Sequence, residues 1–103
     1  MEKIIILIPT YNPSKALISL VDQLMDYPFQ QIIIVNDGSD DASGKFFSKI
    51  GSHSRVKVLN HAQNRGKGQA IKTGIAYILK NYKEAKGVLT CGTNANNKNL
   101  QRM

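Results

Sequence analysis

Three short loops of this chain combine residue types that could bind a planar ring, hydroxyl groups and phosphate. The first loop begins Pro9-Thr10-Tyr11 and directly follows an aliphatic run. Tyr11 could stack its ring on a planar ligand there while its hydroxyl stays in water. A turn with an incidental tyrosine is the simpler interpretation when this loop is taken alone.

The second loop contains Asp37 and Gly38, at the end of another aliphatic run. The Asp37 carboxylate could accept a hydrogen bond from a base N–H or a ribose hydroxyl, and Gly38 would permit close approach of the backbone. The alternative is a hydrophilic turn, and we expect Asp40 or Asp41 to cap the helix that follows. We still predict a ligand role for Asp37, because ligands of α/β sheets collect at this position.

The third loop contains Arg65, Gly66, Lys67 and Gly68 and opens a predicted helix. Its glycines expose backbone N–H groups, the helix start carries partial positive charge, and the two basic side chains add full charges. This combination suits a phosphate or a diphosphate. It is not a Walker loop, since the glycine spacing differs and no serine or threonine directly follows Lys67. The alternative is a glycine turn with two exposed basic residues.

Other reactive side chains indicate no further site. His53 and His61 have no Cys, His or carboxylate at metal-ligand spacing, so we expect no zinc site. Cys91, at the end of an apolar run, is expected in the core rather than as a nucleophile. A single cysteine also fits a reducing, cytoplasmic setting.

The charge of the chain is uneven. The net charge is +7, yet residues 1–41 carry two basic and six acidic side chains, whereas residues 42–103 carry twelve basic and one acidic. The basic part favours an anionic partner. Nucleic acid is not expected, because the aromatic residues do not interleave with the basic ones as a stacking surface requires. We expect no membrane span, since no run approaches the ~20 apolar residues needed, and no signal peptide.

The apolar pattern predicts the elements that must position the loops. Strands are predicted at Lys3–Ile8, Gln31–Asn36, Val56–Asn60 and Gly87–Cys91. Helices are predicted around Leu17–Leu24 with Asn12 as N-cap, over Phe46–Ile50 ended by Gly51, and over roughly Gly68–Tyr82. This alternation predicts an α/β fold, a Rossmann-like parallel sheet of about four strands with helices on both faces. The loops Thr10–Ser14, Asp37–Gly44, His61–Gly68 and Gly92–Asn97 would then share the carboxyl edge of the sheet.

Taken together, the three loops resemble the amino-terminal half of family 2 glycosyltransferases, inverting enzymes with the GT-A fold. The resemblance is strongest to the polyprenyl-phosphate hexosyltransferase-like branch. It covers residues 3 to about 91 and is carried by the motifs IIILIPTYNPSKALISLVDQL, IIIVNDGSDDASG and VKVLNHAQNRGKGQAIKTGIAYIL. It implies an enzyme that transfers a sugar from a nucleoside-diphosphate sugar to an acceptor hydroxyl or a lipid phosphate.

The resemblance also implies roles for individual residues in binding the nucleotide-sugar donor. Pro9, Thr10 and Tyr11 would line the base pocket. Asp37 would contact the base and the ribose, beside Gly38. The basic glycine loop of residues 65–68 would lie next to the nucleotide.

Two departures from the family pattern matter. The family places two carboxylates after the fourth strand to hold Mg²⁺ or Mn²⁺, but Gly92 and Asn94 stand at those positions, so we expect no metal ligands there. The chain stops at Met103, and Glu84 is the only acid after Asp41, so no candidate catalytic base follows. We therefore interpret residues 1–103 as a single truncated nucleotide-sugar-binding domain, weakly active or inactive, whose catalytic residues are unknown.

The alternative interpretation is a non-catalytic nucleotide-binding or assembly module. An exposed edge of a parallel sheet would favour self-association, because an unpaired edge strand invites strand pairing. In either case we expect a cytoplasmic location, with the inner face of the membrane as the other possibility.

Overall fold

A computed structural model of the chain describes residues 2–40, 43–91 and 100–102. The elements alternate between strand and helix as predicted, with one additional strand at the end. They are β1 (Glu2–Thr10), α1 (Lys15–Leu24), β2 (Phe29–Asp37), α2 (Gly44–Ile50), β3 (Val56–His61), α3 (Lys67–Asn81), β4 (Gly87–Cys91) and β5 (Leu100–Arg102).

The strands form one sheet in the order β3-β2-β1-β4-β5. The first four strands are parallel to their neighbours, which confirms the predicted parallel sheet. The fifth strand pairs antiparallel with β4 and was not predicted, because its three residues contain no apolar run. The register aligns the carboxyl ends of the three strands that precede the loops, pairing Thr10 with Asn36 and Asp37 with His61.

Helices cover both faces of the sheet, as predicted. Along β1, Ile6 and Ile8 pack in one cluster with the buried residues of α1 and α2. Ile5 and Leu7 point to the other face, where they pack with Ala70 and other residues of α3. All four β1 side chains are fully buried, which explains why the strand is a continuous rather than an alternating apolar run.

The first two helix starts differ from the prediction. Ser14, not Asn12, caps α1, because its Oγ accepts a hydrogen bond from the Ala16 amide at 3.2 Å. Ser43, not Asp40, occupies the cap position of α2, and the Asp40 carboxylate accepts a hydrogen bond from the Ser43 hydroxyl. The other candidate cap, Asp41, lies outside the described residues.

The third helix begins at Lys67, one residue before the predicted Gly68. Gly51 ends α2, as predicted. Across ranges 2–40, 43–91 and 100–102, no helix combines the length and apolarity that a membrane span requires.

Candidate functional site

The first two loops are joined by hydrogen bonds at the carboxyl edge of the sheet. The Asn12 amide donates to the Ser39 hydroxyl at 2.8 Å, and the Asn12 side-chain oxygen accepts from the Asp40 amide at 2.8 Å. Asn36, at the end of β2, accepts from the Ser39 amide at 3.0 Å. Asn12 adopts a positive φ of 47° to make these bonds, which is why its side chain does not cap α1. The two loops therefore form one surface.

The first loop presents one buried and one exposed group at this surface. Thr10 is only 4% exposed, and its hydroxyl oxygen has no hydrogen-bond partner among the described residues. A buried hydroxyl without a partner is costly and usually indicates a bound water or a ligand. Tyr11 is 55% exposed, so its ring is accessible, whereas Pro9 is buried within β1.

Asp37 joins the second loop to the third. Its carboxylate accepts hydrogen bonds from the Arg65 amide at 2.9 Å and the Gly66 amide at 3.0 Å. The Asn64 side chain donates to the same carboxylate at 3.3 Å, and the His61 ring lies 2.7 Å from it through Nδ1. A carboxylate offers about four lone-pair sites, so the protein itself occupies them all.

The ionisation of Asp37 follows from these bonds. Burial by itself would raise the pKa of the carboxyl, but the hydrogen bonds from His61, Arg65 and Gly66 outweigh it. The pKa of Asp37 is therefore lowered below its ordinary value. The side chain acts as an ionised acceptor that draws the third loop onto the end of β2.

Gly38 packs directly against the third loop. A Cβ at this position would overlap the backbone of Gln63 and Asn64, and the residue has a positive φ of 73°. Both features require glycine at this position, and the close approach to a ligand predicted for Gly38 stays a prediction.

The basic loop leads into α3 in the way its sequence predicts. Gly66 is the N-cap of the helix with a positive φ of 93°, and the side chains of Arg65 and Lys67 are exposed. The first amides of a helix have no partner within it, and they carry partial positive charge. Because Asp37 takes the amides of Arg65 and Gly66, the donors left for an anion include the two basic side chains and the first-turn amides of Lys67, Gly68 and Gln69.

Sequence reasoning missed His61 as a member of this cluster. The interpretation considered only metal-ligand spacing along the chain, in which Asp37 and His61 are 24 residues apart. The signal that could have found the pair is the register: both residues end neighbouring parallel strands, which places them side by side.

The described residues do not fit the divalent metal that the resemblance implies. No group of three or more His, Cys, Asp or Glu residues that could hold a metal occurs within ranges 2–40, 43–91 and 100–102. Gly92 and Asn94 lie outside the described residues, and neither supplies a carboxylate. Cys91 is buried, and burial raises the pKa of its thiol to about 11, so the sequence interpretation of a core cysteine agrees with its surroundings.

Comparison with known proteins decides the family. Residues 5–82, which contain all three loops, match the family model described as Glycosyl transferase family 2. The chain belongs to this family. The predicted family resemblance and the predicted fold class are thereby confirmed.

Individual family members show the same relationship. The chain is 32% identical to human dolichyl-phosphate beta-glucosyltransferase over 88 residues, covering 72% of this chain and 27% of that protein. It is 32% identical to UDP-N-acetylglucosamine--dolichyl-phosphate N-acetylglucosaminyltransferase of Methanococcus voltae over 91 residues, covering 74% and 36%. The structure of S. aureus TarS 1–349 in complex with UDP-GlcNAc superposes with a TM-score of 0.63 at 25% identity, covering 90% of this chain and 26% of that one. The chain therefore spans about a quarter to a third of the length of these relatives.

Proposed function

We propose that the carboxyl edge of the sheet binds a nucleoside-diphosphate sugar, the donor of a glycosyl transfer reaction. One observation carries this proposal: Asp37 holds the basic loop at the edge where Thr10 ends β1 and Tyr11 follows it. An aromatic ring, an unpartnered buried hydroxyl and a cationic helix start therefore share one edge of the sheet. The TarS structure with UDP-GlcNAc shows that a protein with this fold accommodates such a donor.

In this proposal the first loop binds the base. The accessible ring of Tyr11 stacks on the planar base, and the Thr10 hydroxyl gains the hydrogen-bond partner that the described residues do not provide. Pro9 supplies apolar surface next to the base, and Gly38 allows the second loop to pack against the third. A contact between Asp37 and the base or ribose stays a prediction, and it would have to share an oxygen atom with the four donors already present.

The third loop binds the diphosphate. The side chains of Arg65 and Lys67 and the helix-start amides at Lys67 and Gly68 supply positive charge and donors. Arg65 can bind two phosphate oxygens at once through its planar fork, whereas Lys67 acts as a point charge. The loop therefore favours a nucleoside diphosphate over the nucleoside alone.

The reaction proposed for the chain is that of its family: an acceptor hydroxyl or a lipid phosphate takes the sugar, and the nucleoside diphosphate leaves. No step is assigned to a metal, because the residues present do not fit one. The alternative of a non-catalytic nucleotide-binding or assembly module uses the same donor site, and absence of sugar transfer despite donor binding would favour it. A cytoplasmic location, self-association through the sheet edge and the lack of a nucleic-acid partner stay predictions.

Calorimetric titration with uridine diphosphate tests the donor site through two matched tyrosines. Tyr11 and Tyr27 are exposed to 55% and 57%, but Tyr27 lies near the opposite end of the sheet. We expect Tyr11→Ala to weaken binding by roughly 1–3 kcal/mol, the usual loss of one base–aromatic stack. Tyr27→Ala should leave the affinity unchanged. Equal effects of the two substitutions would contradict the assignment of the base pocket.

A further inference from the structure

We infer that His61 and Thr73 are positioning residues for the diphosphate, acting through Asp37 and without touching the ligand. The inference rests on the proposed function of the third loop as a diphosphate site. It assigns a role to two side chains for which the sequence indicated no part in ligand binding.

The geometry is a chain of hydrogen bonds across three elements. His61 Nδ1, at the end of β3, lies 2.7 Å from Asp37 Oδ1 at the end of β2. His61 Nε2 lies 2.8 Å from the hydroxyl oxygen of Thr73, in the second turn of α3. The side chains of His61 and Asp37 are 8% and 4% exposed, so water competes little for these bonds.

The chemistry of Asp37 assigns the direction of the bonds. An ionised carboxylate can only accept, so the proton between the two residues belongs to His61 Nδ1. His61 Nε2 is hydrogen-bonded to the Thr73 hydroxyl, which can donate to an unprotonated ring nitrogen or accept from a protonated one. The ring is thus held at both nitrogen atoms, and its donor is aimed at one oxygen atom of Asp37.

A fixed carboxylate in turn fixes the basic loop. Asp37 Oδ1 accepts hydrogen bonds from both His61 and the Arg65 amide, and Asp37 Oδ2 accepts one from the Gly66 amide. Thr73 belongs to α3, the helix that begins at this loop. The hydrogen bonds therefore connect both the basic loop and α3 to the ends of β2 and β3. Hydrogen-bond donors that are already held in place lose less conformational entropy when a phosphate binds, so the phosphate binds more tightly.

Two near-isosteric substitutions of His61 separate positioning from general packing. Asparagine can place an N–H donor near the position of Nδ1, whereas leucine has a similar shape and no donor. We expect His61→Leu to lower the preference for uridine diphosphate over uridine at least about fivefold, the loss of one buried hydrogen bond to a charged group. His61→Asn should keep most of that preference, and binding of uridine itself should change little in both variants.

Thr73 gives a second pair of substitutions, in which the His61 side chain itself is retained. Thr73→Val removes the hydroxyl at nearly constant volume, and Thr73→Ser keeps it. We expect the valine variant to lose part of the diphosphate preference, about twofold or more, and the serine variant to retain it. If His61→Leu does not fold, as judged by circular dichroism, this second pair decides the question.

The outcomes distinguish the inference from the proposed function. No preference of the wild-type chain for uridine diphosphate over uridine would overturn the proposed diphosphate site itself. A normal preference in wild type that survives in His61→Leu or, where that variant is unfolded, in Thr73→Val, would overturn the positioning role and leave the site standing. Equal losses in His61→Leu and His61→Asn would show that ring packing, not the hydrogen bond, matters.

Discussion

Replacing Gly38 by alanine tests whether the second and third loops form one rigid unit. The new Cβ would overlap the backbone of Gln63 and Asn64, and the residue would have to keep a positive φ. A backbone neighbour cannot rotate away as a flexible side chain can, so the third loop must move. We therefore expect Gly38→Ala to destabilise the fold and to displace the basic loop from Asp37.

The magnitude follows from two separate costs. Holding a residue other than glycine in such a backbone conformation costs about 1–3 kcal/mol. Overpacking of a close contact adds about 1–3 kcal/mol. Gly66 shares the positive φ, at 93°, but has open space around its Cβ position. Gly66→Ala should therefore show only the first cost. The difference in free energy of unfolding between the two variants then measures the overpacking of Gly38 against the third loop.

Urea unfolding followed by circular dichroism gives both free energies on one scale. Gly44→Ala serves as the control for the substitution itself, because Gly44 begins α2 with open space and ordinary φ, and we expect a stabilisation of about 0.4–1 kcal/mol. If Gly38→Ala is no more destabilising than Gly66→Ala, the close packing of the two loops is refuted.

Three further predictions concern charge and hydrogen bonding. The pKa of Asp37 is lowered in the fold, so its stabilisation is present above its ordinary pKa of 3.8 and is lost as pH falls through the folded value. Asp37→Asn should accordingly destabilise the fold most near neutral pH. The difference in free energy of unfolding between this variant and the wild type, measured in urea, should become smaller as the pH is lowered. Arg55 donates to three backbone carbonyls in the turn between α1 and β2, and Arg55→Lys should cost about 1–3 kcal/mol in thermal unfolding, because lysine lacks the fork. The double variant Arg65→Ala with Lys67→Ala should lose most of the preference for uridine diphosphate over uridine, measured by calorimetry, whereas Lys80→Ala at the other end of α3 should not.

Much of this fold is predictable from the sequence because its core strands are continuous apolar runs. Four aliphatic segments separated by helical periodicity leave little choice but a parallel sheet covered on both faces. That topology alone brings the loops after β1, β2 and β3 to one edge. The start of α3 at the third loop is equally predictable, because glycines precede a helical apolar pattern there, whereas anion binding by this loop stays a prediction.

What the sequence could not reveal depends on contacts between distant segments. The preference of Asn12 for the Asp40 amide over a capping role requires the two loops to lie together. The pairing of Asp37 with His61 requires the register of β2 and β3. The hydrogen bonds from the Arg65 and Gly66 amides to Asp37 require the second and third loops to meet, and the ligand contact predicted for Asp37 stays a prediction.

The most direct test of the proposed donor site is a titration of the ¹⁵N-labelled chain with uridine diphosphate, followed by amide chemical shifts at two salt concentrations. A bound diphosphate at the carboxyl edge should move the signals of Tyr11, Gly38 and Gly68 in a saturable way, with Tyr27 unaffected. The affinity should weaken only modestly with salt, since a single diphosphate makes few charged contacts. Shifts centred on the opposite end of the sheet, or no saturable shifts in these loops, would contradict the site.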